Sequence, residues 1–265
     1  MNLDLEALCQ DVVELSREVG IFIKMEERKV NSKDIEEKSL NSLVSYVDKT
    51  AEKKLVEELG KLLPEAGFIA EEGTSTKKGE QYNWIIDPLD GTTNFLHGIP
   101  TYSVSVALQR DDKIVLGVVY EVNRDECFYA REGGEAYLNG NQIQVSKNKR
   151  FADSLLATGF PYYDYEHLES YFELLKHLAQ NTRGIRRIGS AAVDLAYVAC
   201  GRFDGFFEYS LHPWDVAAGA FIVQQAGGKI ADFGGGNNWL VGKEIIAANH
   251  PIHHQLVELI RTTFK

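Results

Sequence analysis

Leu5, Leu8, Val12, Leu15, Val19 and Phe22 recur at steps of three and four, which predicts one amphipathic helix near the start of the chain. A second amphipathic helix is predicted from Thr50 to Leu63, stopped by Pro64. Between them the charged stretch MEERKVNSKDIEEKS (25–39) reads as a solvated connection. Gly67-Phe68-Ile69-Ala70 is a short buried strand running into Glu71 and Glu72, and GTSTKKGEQ (73–81) is a surface loop. Trp84-Ile85-Ile86 closes another apolar strand on Asp87.

TYSVSVALQR (101–110) and KIVLGVVYEV (113–122) read as neighbouring antiparallel strands joined at Asp111-Asp112. ECFYAREGGEAYLNGNQIQVS (126–146) continues in β style, with Gly133-Gly134 and Asn139-Gly140 as turns. The second half alternates. SLLATGF (154–160) is a strand and HLESYFELLKHLAQ (167–180) a helix; GIRRIG (184–189) precedes the helix SAAVDLAYVACG (190–201), which Ser190 caps and Gly201 ends. FDGFFEY (203–209) is a strand, DVAAGAFIVQQAGG (215–228) a helix, and KIADF (229–233) and EIIAANH (244–250) closing strands. The pattern is of helices layered on mixed sheets: one domain over 1–265, an α+β half to about 150 and an α/β half after it, with no linker between them.

With 265 residues, 44% apolar and 25% charged, the chain can bury a large core. No apolar run approaches the ~18 residues a membrane span needs. The opening MNLDLEALCQDVVELSREVG lacks a basic-then-apolar signal layout, so a cytoplasmic location is expected. Cys9, Cys127 and Cys200 are far apart in sequence with no Cys-x-x-Cys pair, and read as reduced thiols. A net charge of −11 argues against a nucleic-acid groove. An acidic protein binds an anionic small molecule only if cations reverse the local field.

That condition gives DPLDGTTNF (87–95) its interest. Pro88 pushes Asp87 into extended geometry and Gly91 allows a sharp reversal, so the turn can aim Asp87, the Leu89 carbonyl and Asp90 at one volume. Oxygen donors without histidine or thiolate suit a hard cation such as Mg²⁺. Thr92 and Thr93 stand where a short helix can begin and offer hydroxyl and N–H groups to a phosphate. Glu71-Glu72 ends a strand, Asp215 follows Trp214 at a helix start, and Asp48 ends the apolar LVSYV. Each alone is equally an ordinary turn, cap or strand end. Convergence of these acids would require cations, because clustered carboxylates otherwise raise one another's pKa.

DPLDGTTNF, AEEG (70–73) and PWDVAAGAFIVQQAGG (213–228), in this order, resemble the inositol monophosphatase family. GIRRIGSAAVDLAYVACGRFDGFFE (184–208) resembles its bacterial branch. The resemblance implies the layered αβαβα sandwich of lithium-sensitive, Mg²⁺-dependent sugar phosphatases, usually homodimers. It implies two to three Mg²⁺ per site, with Mn²⁺ able to substitute. A first ion would be held by Glu71, Asp87 and the Leu89 carbonyl; a second by Asp87, Asp90 and Asp215; a third, weaker one near Glu71. Thr92, paired with Asp48, would orient the attacking water, and the backbone around Gly91 and Thr92 would cradle the phosphate. Gly189, Ser190 and Ala191 would begin a helix facing the substrate ring, Glu208 would meet sugar hydroxyls, and Arg186 occupies a position implicated in the bacterial branch. Ala70 stands where many relatives carry glycine, and Ser42 and Ser45 where relatives often show Asp and Thr.

The expected substrate is therefore inositol monophosphate or a similar polyol phosphate. Fructose-1,6-bisphosphate, a nucleotide 3′-phosphate, histidinol phosphate or an inositol-phosphate lipid head group are alternatives on the same site. A regulatory protein binding transcription machinery is the alternative of another class. His250, His253 and His254 lack a nearby acid or cysteine to complete a zinc site. Asp87 and Asp90 are three apart, not the two of an Asp-x-Asp phospho-aspartate signature, and Gly-x-Ser-x-Gly is absent. Arg183, Arg186 and Arg187 form either a solvated basic patch or a substrate or interface contact.

Overall fold

The computed structural model describes residues 3–30, 35–39, 42–161 and 164–264. Helix α1 (Leu5–Glu26) starts where the Asp4 carboxylate accepts the Glu6 and Ala7 N–H groups, and it buries Leu8, Val12, Leu15 and Val19 of the predicted stripe. Strands β1 (Ile35–Ser39) and β2 (Ser42–Ser45) pair antiparallel, so the end of the charged stretch is a strand and not a connection. Residues 31–34 of that stretch lie outside the described residues. Helix α2 (Tyr46–Leu62) begins four residues before the predicted Thr50, because Ser45 and Asp48 form a capping box at its start. Asp48 is therefore the third residue of a helix and does not end an apolar stretch.

β3 (Gly67–Ala70) runs parallel to β4 (Tyr82–Asp90), and after the short helix α3 (Thr92–Leu96) come β5 (Ser103–Arg110), β6 (Lys113–Glu121), β7 (Glu126–Arg131), β8 (Ala136–Leu138) and β9 (Asn141–Gln142). β3 to β9 form one seven-stranded sheet in sequential order, antiparallel from β4 onward. The second half supplies β10 (Leu155–Thr158), α4 (Leu168–Asn181), β11 (Gly184–Arg186), α5 (Ala191–Ala199), β12 (Gly205–Tyr209), α6 (Pro213–Gln225), β13 (Lys229–Ala231) and β14 (Glu244–Ala248). Its five strands are ordered β11-β10-β12-β14-β13.

A final helix, α7 (His250–Thr263), was not predicted. Its buried stripe is only Ile252, Leu256 and Ile260, and Asn249 caps it by accepting the Ile252 N–H at 3.0 Å.

The layers follow from which face each strand buries. Trp84 and Ile86 of β4 pack against α1 and α2, whereas Ile85 faces α5 and α6. α5 and α6 have no polar stripe and lie between the two sheets; α4 and α7 cover the outer face of the second sheet. The order is αβαβα, as the resemblance implied. α6 sits close to the first sheet because a Cβ on Gly117 of β6 would stand 2.8 Å from the Ala218 carbonyl oxygen. It sits equally close to α5, where a Cβ on Gly219 would meet Leu195 Cβ at 2.6 Å. Among the described residues no helix is long and apolar enough to cross a membrane.

Candidate active site

The spacing of Asp87 and Asp90 is explained by the sheet. Along β4 and β5, Asp87 pairs with Ser105 and Asp90 with Ser103, so three steps on β4 match two on β5. One extra residue makes this a β-bulge, placed where Pro88 has no N–H to give the ladder. In a regular strand residues three apart face opposite sides; the extra residue returns Asp90 to the side of Asp87. That side carries Ile85 and faces α5 and α6.

Each acid is held by a local donor. The Leu89 N–H donates to Asp87 Oδ1 at 2.9 Å. Asp90 Oδ2 accepts the Ser190 hydroxyl at 2.5 Å and the Ala192 N–H at 2.8 Å, which ties the β4 bulge to the start of α5. Asp215, in the first turn of α6, accepts the His212 N–H at 2.6 Å. Glu71 follows β3 directly, and its N–H bonds the Ile86 carbonyl of β4 at 3.2 Å.

Beyond the bulge, Gly91 takes a left-handed φ of 97° at the start of α3, where a Cβ would stand 3.1 Å from the Thr101 carbonyl oxygen and 3.2 Å from that of Gly189. Thr92 Oγ1 lies 2.9 Å from both Asp48 Oδ1 and the Leu89 carbonyl oxygen. Asp48 is 1% exposed, and its Oδ2 accepts the Ser45 N–H at 2.9 Å and the Ser45 hydroxyl at 2.7 Å.

Electrostatics binds the acids into one group. Burial raises Asp87 well above the ordinary carboxylate range, and the charges of Glu71, Asp90 and Asp215 raise it further. Asp215 is raised by burial and then by Asp90, Glu71 and Glu208. Asp90 is pushed up to about 6 by burial, against the donors from Ser190 and Ala192. Glu208 of β12 is pushed up to about 8 by burial, opposed by Arg187.

Among the described residues no three Asp, Glu, His or Cys side chains stand as a preformed metal cage. Like charges resist being drawn to ligating distance without a counter-charge. The donor chemistry nevertheless fits a hard divalent cation: every side chain offers oxygen, and the charges acting on Asp87 are three other acids.

The remaining predicted positions divide. Ser190 caps α5 by accepting the Val193 N–H, Ala191 is the first residue of that helix, and Gly189 before it has φ 90°. Arg186 is exposed, and its Nη1 donates to its neighbour's carbonyl, that of Ile185, at 3.1 Å. Arg187 is the arginine whose charge acts on Glu208 and on Asp194.

Three polar residues at the site were not singled out from the sequence. Glu52 is 0% exposed and accepts the Glu72 and Thr74 N–H groups at 2.7 Å each, pinning the turn that carries Glu71. It lies four residues after Asp48, so one face of α2 holds both the turn after β3 and Thr92 of α3, and that spacing was the available clue. Asn94 Nδ2 donates to the carbonyls of Thr101 and Ile188 at 2.8 Å each, holding α3 against the turn before α5. Asp194, buried in α5, is raised well above the carboxylate range by burial and then by Glu208 and Asp90.

Coupled acids on an αβαβα sandwich, beside a threonine oriented by a buried aspartate, define a phosphatase-type α/β protein. The model of the inositol monophosphatase family matches residues 4–263, and the chain belongs to that family. An inositol-1-monophosphatase of Mesorhizobium japonicum is 37% identical over 256 residues, 96% of either chain. The Nus factor SuhB of Pseudomonas aeruginosa is 39% identical over 251 residues, 93% of either chain. A crystal structure of the extragenic suppressor protein suhB from Bartonella henselae superposes with a TM-score of 0.92 at 40% identity, covering 96% of this chain and 98% of that one.

Proposed function

We propose that this chain is a Mg²⁺-dependent phosphomonoesterase that hydrolyses inositol monophosphate or a similar polyol phosphate. The observation that carries the reading is the β4 bulge, which turns Asp87 and Asp90 to one side near the Thr92–Asp48 pair, where the charges of Glu71 and Asp215 also act on Asp87. Glu71, Asp87 and the Leu89 carbonyl would hold one ion, Asp87, Asp90 and Asp215 a second, with a weaker third near Glu71. Bound there, divalent cations neutralise a phosphate dianion and acidify water.

The chain's own groups do the orienting. A threonine hydroxyl has one proton, and of its two acceptors at 2.9 Å the Asp48 carboxylate is the stronger. With that proton turned to Asp48, the Thr92 oxygen offers a lone pair to a water hydrogen and aims the water's own lone pair at phosphorus. Ser45 holds Asp48 in place for this task. The first-turn N–H groups of α3 lack intrahelical acceptors and would be the donors for phosphate oxygens. Thr92→Ala is expected to lower kcat by about 10²-fold, in the range of positioned proton-handling groups. Thr92→Ser, which keeps the hydroxyl, is expected to restore most of it. Equal losses in the two variants would remove Thr92 from this role.

Phosphate release with Mg²⁺ from inositol monophosphate, fructose-1,6-bisphosphate, a nucleotide 3′-phosphate and histidinol phosphate at equal concentration tests the substrate. Fastest turnover of the inositol ester is expected. The relatives named Nus factor favour a second reading, a partner in the transcription machinery. No release from any ester, with polymerase components recovered in a pull-down, would decide for that role instead.

A further inference from the structure

The strand pairing that carries Glu208 also fixes what stands against it. β10 runs parallel to β12 with Thr158 opposite Phe207, so the chain leaves the sheet at Gly159 alongside Glu208. A Cβ built on Gly159 would overlap Oε1, Cδ and Oε2 of the Glu208 carboxylate.

Neither backbone can retreat. Thr158 Oγ1 donates to the Phe207 carbonyl at 2.7 Å, and the Tyr171 hydroxyl donates to the Gly159 carbonyl. Tyr171 is itself fully buried, with its ring 6.1 Å from Phe207 and 5.7 Å from Tyr209. Glu208 is held from the other side by its pairing with Ile245 of β14. Any atom added at position 159 must therefore move the Glu208 side chain and not the strands. The carboxylate is buried, with the Arg187 charge acting on it, and the absent side chain at position 159 leaves it the room it occupies.

We propose that Gly159 is a specificity-determining position: its missing side chain leaves the Glu208 carboxylate where it can meet the hydroxyl groups of a polyol phosphate. The inference rests on the polyol-phosphate reading above. Gly159 touches no reacting atom; it acts through Glu208. Its effect is therefore confined to esters that carry hydroxyl groups.

The test uses the full chain with Mg²⁺ and two substrates, myo-inositol 1-phosphate and p-nitrophenyl phosphate, the latter having no hydroxyl group on its ring. Gly159→Ala is expected to lower kcat/KM for the inositol ester by about 10-fold or more, through KM, in the range that pocket contacts discriminate. The aryl ester is expected to turn over within twofold of the unaltered protein, which also reports an intact fold. Glu208→Gln is expected to show a comparable loss on the inositol ester, and adding Gly159→Ala to it is expected to cost nothing further. Equal losses on the two esters, no loss on either, or additive losses in the double variant would overturn the proposal while leaving the polyol reading standing. An unaltered protein that cleaves only the aryl ester would refute the polyol reading, and this inference with it.

Discussion

Asp90→Asn is expected to lower kcat/KM for phosphate-ester hydrolysis by on the order of 10³-fold or more, since a lost cation contact removes several kcal/mol of charge stabilisation from the transition state. The fold is expected to survive. An amide oxygen can still accept the Ser190 hydroxyl and the Ala192 N–H, which tie the β4 bulge to α5. Removing the charge also relieves Asp215, on which Asp90 exerts the strongest repulsion. The metal-free variant is therefore expected to melt no lower than the unaltered chain. Phosphate release at saturating Mg²⁺, measured beside a thermal melt, separates the two effects. Turnover near that of the unaltered chain would end the assignment of Asp90 to the site.

Removal of divalent cations is expected to abolish hydrolysis and to expose an unusual pH dependence of stability. The sign follows from the direction of the shifts. Burial raises the folded-state pKa of Asp90 to about 6 and of Glu208 to about 8. An unfolded carboxyl titrates near 4, so the folded chain holds these protons more tightly than the unfolded one. The stability they contribute is fully present below the unfolded value and is lost as pH rises through about 6 for Asp90 and about 8 for Glu208. In chelator, Tm is expected to fall from pH 5.5 towards pH 8.5. Saturating Mg²⁺ is expected to raise Tm most at the alkaline end, because a cation replaces the missing protons. Asp90→Asn is expected to remove the part of the fall near pH 6 and to reduce the Glu208 part without abolishing it, because burial raises Glu208 first and the Asp90 charge adds to it. Scanning fluorimetry across this range, with chelator and with Mg²⁺, reads all of these effects. A Tm indifferent to Mg²⁺, or one that climbs with pH in chelator, would contradict a coupled acid cluster.

Pro88 and Gly91 announce a local break beside Asp87, and the acids are visible there. Which way Asp90 points is settled by the extra residue of β4 against Ser103 and Ser105, a property of the pairing. Asp48 shows the limit more sharply. Its residue pattern reads as the end of an apolar stretch, yet it caps α2 and reaches Thr92, 44 positions away. Only the resemblance to a family anticipated that contact. The roles of Glu52 and Asn94 were hard to read because their partners are backbone groups, which every residue has; only the four-residue spacing of Glu52 from Asp48 offered a clue.

The sequence alone determined the elements whose cause is local. Period-3.6 stripes laid down α1 and α4, alternating apolar residues laid down β5 and β6, and Ser190 and Gly201 bounded α5, since propensity and capping act within a few residues. It failed at β1, within a charged stretch, and at α7, whose three-residue stripe is narrow. Only the tertiary structure decided that acids at 71, 87, 90 and 215 share one electrostatic field, and that Gly159 lies against Glu208. Those contacts depend on strand order and layer stacking, which bring together groups far apart in the chain. The energy of such contacts is set by burial and mutual charge, and neither is a property of any one residue.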